Sequence, residues 1–163
     1  MNVVFYLAAA VAVVSTAMVL TRPNAVHALL YLIVSLLAVA VVFFTLGASF
    51  VAALEVIVYA GAIMVLFLFV VMLLNQGPET ASLSSEWLSP RAWAGPAVLA
   101  AVLLALLLYV LGVGGTGVGA SAPVPPGAVG AALFGQYLIG VELASMLLLA
   151  ALVGAYHLGR RGD

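Results

Sequence analysis

Cysteine and lysine are both missing from the 163 residues, and only 6% of the chain is charged against 67% hydrophobic. Without cysteine there is no disulfide framework, thiolate metal site or cysteine nucleophile. The formal charge of -1 offers no basic surface to nucleic acid. The two histidines, His27 and His157, have no ligand spacing with each other or with an acid, so no metal centre is expected. Nor is there a Gly-rich phosphate loop or a Ser-His-Asp arrangement, so no catalytic residues can be assigned. A water-soluble domain of this size could not hide so much apolar surface. The excess must face lipid.

What is present is five apolar segments, roughly 3–20, 25–46, 50–74, 92–112 and 132–157. Each reaches about the 20 residues that a helix rising 1.5 Å per residue needs to cross the hydrocarbon core. In lipid the backbone must satisfy its own hydrogen bonds, and segments this long do so as helices. The expectation is an all-α polytopic membrane protein, a single domain over 1–163. The first segment has no basic residue ahead of it and reads as an uncleaved anchor. With five crossings, the 21–24 turn, the 75–91 loop and the tail from Leu158 share one side and hold Arg22, Arg91, Arg160 and Arg161, all the basic side chains apart from histidine. The positive-inside rule then puts the N-terminus out and the C-terminus in. The turns TRPN (21–24) and LGAS (46–49) are tight, so the first three helices pack as antiparallel neighbours. The inside loop carries Glu79, Glu86 and Trp87 and reads as interfacial. The Gly- and Pro-rich stretch 113–131 reads as an irregular connection.

The third segment, LEVIVYAGAIMVLFLFVVMLL over 54–74, holds an ionisable group, Glu55, roughly 7 Å inside the outer edge at 1.5 Å per residue. An intramembrane carboxyl is costly and marks a functional candidate. Tyr59 is four residues on, on the same face. Glu55 can equally be an interfacial carboxyl that snorkels or bonds a neighbouring helix. Ala60-Gly61-Ala62 lies at mid-membrane and has two readings: a close-packing patch, or a point where the helix rewinds locally, since glycine restricts the backbone least. On the second segment His27, Tyr31, Ser35, Ala38 and Thr45 fall in one sector at 100° per residue. Such a stripe faces other helices or a hydrated path. In the fifth segment Glu142 is a second acid well inside, with Ser145 one turn on and Gly140/Ala144 offering close approach. With no intramembrane Lys or Arg, each acid must be protonated, hydrated or paired with another polypeptide. The chain reads as one part of an assembly.

The block ALEVIVYAGAIMVLFLFVVMLLN (53–75) resembles the third transmembrane helix of the subunit J family of bacterial NADH–quinone oxidoreductase, respiratory complex I, whose mitochondrial counterpart is NADH dehydrogenase subunit 6. The resemblance extends over 24–50 and 141–160 and is looser over 76–131. It implies a place in the membrane arm against the K, A and H subunits, between the quinone chamber and the antiporter-like subunits, in the bacterial inner membrane. It also implies that the helix around Tyr59, Ala60, Gly61, Met64 and Val65 forms a π-bulge whose rewinding accompanies opening of a hydrated proton path. Glu55, Tyr59, His27, Tyr31, Ser35 and Glu142 are then candidates to line or border that path. NADH, FMN, iron–sulfur clusters and quinone would be handled by the whole complex, with none bound by this chain. Without lysine it is not an antiporter-like subunit. The rival expectations are a purely structural subunit of the same complex, or a free-standing small transporter. Against the transporter stands the lack of internal repeats.

Overall fold

The computed structural model describes residues 3–74, 90–113 and 123–160, and these are helical apart from short turns. The 75–89 connection with Glu79, Glu86 and Trp87, the stretch 114–122, and Arg161 lie outside the described residues. Five helices among the described residues are long and apolar enough to cross a membrane. They are α1 (Val3–Thr21), α2 (Ala25–Thr45), a composite third span, α5 (Pro90–Val113) and α7 (Leu138–Gly159). The third span runs from α3 (Ser49–Leu54) through a π-helical segment (Glu55–Ile63) into α4 (Met64–Leu74). A short helix, α6 (Pro126–Phe134), precedes α7. Contacts group the chain into two units, Met1–Pro123 and Val124–Asp163.

The first unit is built on the α1–α2 hairpin. Val4, Ala8, Val11 and Ser15 recur every three or four residues along α1 and are its buried positions. Ala8 and Ser15 are fully buried. Small side chains there let the α1 and α2 backbones approach closely, which is how membrane helices gain packing energy when lipid is as apolar as the core. Opposite them stand Val34, Ala38 and Val41 of α2, with Leu103 and Val110 of α5 closing the cluster. The hairpin turn is short because Asn24 caps α2: its Oδ1 accepts from the backbone N–H of Val26 at 2.9 Å and of His27 at 3.4 Å.

At its other end α2 stops in a Schellman arrangement. Gly47 sits at φ 85°, its N–H donates to the Phe44 carbonyl, and the Ala48 N–H donates to the Phe43 carbonyl. A side chain with a Cβ would be strained there, so the LGAS turn depends on its glycine. The third span therefore starts within a few residues of the end of α2 and runs back along it.

The second unit departs from the sequence expectation. The segment 132–157 is not one helix, and 113–131 is not wholly irregular: a helix starts at Pro126 and stops at Phe134, and α7 begins again at Leu138. Pro125 is extended (φ -70°, ψ 149°) and Pro126 takes the first helical position, where a missing N–H costs nothing. The break falls at Gly135 (φ -114°, ψ -95°), where a Cβ would lie 2.6 Å from the Ala131 carbonyl oxygen. No residue of α7 is buried within the chain.

Candidate functional site

Nine consecutive residues, Glu55–Ile63, follow the π-helical pattern in the middle of the third span. Most π-helices are single-turn bulges, so a run of this length is unusual, and such segments concentrate at functional sites. At its C-terminal edge the Met64 N–H reaches back to the Tyr59 carbonyl, five residues earlier, and is shared with the Gly61 carbonyl. In this geometry the fifth carbonyl back crowds the side-chain position. A Cβ at Gly61 would stand 3.1 Å from the Val56 oxygen, tighter than ordinary van der Waals contact. Glycine removes that conflict, which is the local reason the sequence tolerates the wide turn here.

Glu55 is the first residue of the π segment and is partly buried; Tyr59, Ala60 and Gly61 lie within it, and Tyr59 is half exposed. Met64 and Val65 fall just beyond it, in the first turn of α4, with Met64 buried and Val65 exposed. The segment packs along α2. None of its own side chains is fully buried within the chain.

The polar stripe of α2 is divided among several contacts. The Ser35 and Thr16 hydroxyls share a hydrogen bond of 2.8 Å, and Ser35 also donates to the Ala12 carbonyl at 3.2 Å, both across the α1–α2 seam. Thr45 donates to its own helix at the Val42 carbonyl. Tyr31 is buried with its hydroxyl against Gly95 of α5, and the Arg22 guanidinium lies over its ring at 5.4 Å and donates to its oxygen at 3.5 Å. His27 sits in the first turn of α2, and its buried Nε2 has no hydrogen-bond partner among the described residues. Within the first unit Glu55 and Tyr59 share the π segment, whereas Ser35 and Tyr31 are committed to helix seams. Glu142 belongs to the second unit, exposed on α7, one turn before Ser145, whose hydroxyl donates to the Val141 carbonyl.

Sequence reasoning did not single out Thr16, Ser15 or Gly95. Ser15 and Thr16 are an adjacent hydroxyl pair towards the C-terminal half of α1, but nothing in the sequence pairs Thr16 with Ser35. Gly95 gives no sequence signal, because its role depends on which side chain of α2 faces it.

The family described as NADH-ubiquinone/plastoquinone oxidoreductase chain 6 matches residues 15–158. NADH-quinone oxidoreductase subunit J of Pseudomonas aeruginosa is 60% identical over 163 residues, covering 99% of this chain and 98% of that protein. The subunit J of Escherichia coli K12 is 54% identical over 161 residues, covering 98% of this chain and 87% of that one. That of Rhodobacter capsulatus is 42% identical, covering 96% and 80%. With agreement over nearly its whole length, the chain belongs to the subunit J family of NADH–quinone oxidoreductase.

Proposed function

We propose that this chain, a membrane-arm subunit of complex I, couples quinone reduction to proton translocation through the π segment of its third span. The observation that carries this reading is Glu55–Ile63: two turns of π-helix within the third span, with a glycine where a Cβ would stand 3.1 Å from the Val56 carbonyl oxygen. A π turn takes up extra residues, so its conversion to α re-registers everything beyond it. Each extra residue released turns α4, Met64 and Val65 first, by about 100° relative to α3. Such an element transmits a signal only if the driving event favours one of its two states energetically. In this reading quinone chemistry in neighbouring subunits provides that bias. Glu55 and Tyr59 then border the proton route that opens or closes, with His27, Tyr31 and Ser35 on α2 beside it. Glu142, in the second unit, is a separate candidate for a proton path in the complex.

The chain itself has no active site and binds no cofactor in this account. NADH, FMN, the iron–sulfur clusters and quinone are held elsewhere in the complex. Subunits K, A and H and the antiporter-like subunits are the expected neighbours, in a bacterial inner membrane, and the arginine distribution supports an N-terminus outside and a C-terminus inside. The apolar side chains left exposed on α7 and α4 fit a chain whose remaining surface meets lipid and other subunits. A tag appended to the chain should recover, in mild detergent, a large assembly that oxidises NADH with quinone. Recovery of a small homo-oligomer without redox activity would contradict the reading.

A further inference from the structure

Tyr31 is buried on α2, and its phenol has one proton to donate and two lone pairs to receive with. One lone pair is used: the Arg22 guanidinium lies over the ring at 5.4 Å and donates to the oxygen at 3.5 Å. A guanidinium offers no acceptor in return, so the phenol proton must go elsewhere. A buried donor without an acceptor keeps its full desolvation penalty, and folded chains rarely leave one so.

The complementary deficit lies on α5. Pro96 stands inside that helix. It has no N–H, so the helical bond from residue 96 to the Ala92 carbonyl cannot form, and the proline ring crowds that carbonyl aside. In a membrane helix a carbonyl released by proline is satisfied anew from a neighbouring helix.

The two deficits meet at Gly95. The Tyr31 hydroxyl occupies the place that a Cβ of residue 95 would take. A Cα–Cβ bond tilts towards the helix N-terminus, so that place lies over the turn before it, on the face of the residue three earlier, here Ala92. The adjacent residues have complementary roles: Gly95 clears the approach and Pro96 frees the acceptor.

We infer that the Tyr31 hydroxyl donates to the Ala92 carbonyl, closing a latch that runs from Arg22, just beyond α1, through Tyr31 of α2 to the proline-interrupted turn of α5. The bond received from the guanidinium polarises the phenol O–H and makes it the stronger donor. Tyr31 is thereby a positioning residue. It fixes α5 against the α1–α2 hairpin, and α2 is the helix along which the π segment packs. The inference does not need the coupling role proposed above, because it concerns only the seam inside the first unit.

The test begins with a high-resolution cryo-EM map of the intact complex. The expected separation of the Tyr31 oxygen and the Ala92 carbonyl oxygen is about 2.8 Å. A separation above about 3.5 Å, or a water holding that carbonyl instead, would overturn the latch. The second measurement is a cycle of Tyr31→Phe and Pro96→Ala, read as loss of this chain from the complex on heating in detergent. Tyr31→Phe alone should lower the ratio of retained to lost chain about fivefold, the effect of one hydrogen bond. Pro96→Ala supplies an N–H to the Ala92 carbonyl, so Tyr31→Phe on that background should cost nothing further. Equal losses from Tyr31→Phe on both backgrounds would show a phenol that only packs against α5, and the latch would fall.

Discussion

Replacing Gly61 with valine is expected to slow quinone-linked turnover and proton pumping in the assembled complex by about five- to 150-fold, the range that 1–3 kcal/mol of coupling energy spans. NADH oxidation by artificial electron acceptors should stay at the wild-type rate, because those acceptors draw electrons before quinone. A Cβ at Gly61 would lie 3.1 Å from the Val56 carbonyl oxygen in the π form. Valine adds two methyl groups at that crowded point and is stiff at χ1. The π form is therefore strained while a regular α form accepts the residue, and a two-state element is pushed towards one state. Alanine at the same position should fall between glycine and valine, since the Val56 carbonyl must move by only a few tenths of an ångström to receive it. The measurement is the ratio of quinone-linked to artificial-acceptor activity in membranes, with proton uptake followed in parallel. An assembled Gly61→Val complex that pumps at the wild-type rate would remove the hinge from the account.

The second large effect is expected at Gly95. A Cβ there would land on the Tyr31 hydroxyl and press on its ring carbon. Tyr31 cannot simply swing away: it is buried, and Arg22 lies over its ring and reaches its oxygen. Gly95→Ala should therefore push α5 from α2 and destabilise the first unit by about 1–3 kcal/mol, the cost of overpacking a close seam. Loss of this chain from the complex on heating in detergent is the readout. Tyr31→Phe removes the atom first struck, so the double variant should retain the chain better than Gly95→Ala alone. Partial recovery is the expected size, because the ring carbon still stands 3.0 Å from the added methyl. Equal loss in single and double variants would mean that the two residues do not meet.

The spans were legible because hydrophobic length is a strong signal and lipid leaves the backbone few options. The ends of α2 are set by Asn24 and Gly47, residues whose capping roles are local. The second unit was less legible for a physical reason. Proline and glycine were read as punctuation for a loop over 113–131, yet Pro126 begins a helix and Gly135 breaks the next stretch, and both roles depend on backbone angles that composition does not specify. Helical spacing puts the polar residues of α2 in one sector, but which neighbour meets each of them is tertiary information. Ser35 finds Thr16 on α1 and Tyr31 finds Gly95 on α5. The Ala-Gly-Ala patch could be read from its residues as packing or rewinding. Only the backbone hydrogen bond spanning five residues, from the Met64 N–H to the Tyr59 carbonyl, places a π-helix there.

The most direct test of the coupling element follows the register of α4. The chain has no cysteine of its own, so Val65→Cys gives a single reporter in this chain just beyond the π segment, and Val51→Cys gives a reference within α3. In a complex cleared of other reactive cysteines, alkylation by a membrane-permeant maleimide would be timed at rest and during turnover with NADH and quinone. The account predicts a changed rate at Val65→Cys on turnover and an unchanged rate at Val51→Cys, because the rotation begins beyond α3. Identical rates at both positions at rest and during turnover, in a complex that pumps normally, would contradict it.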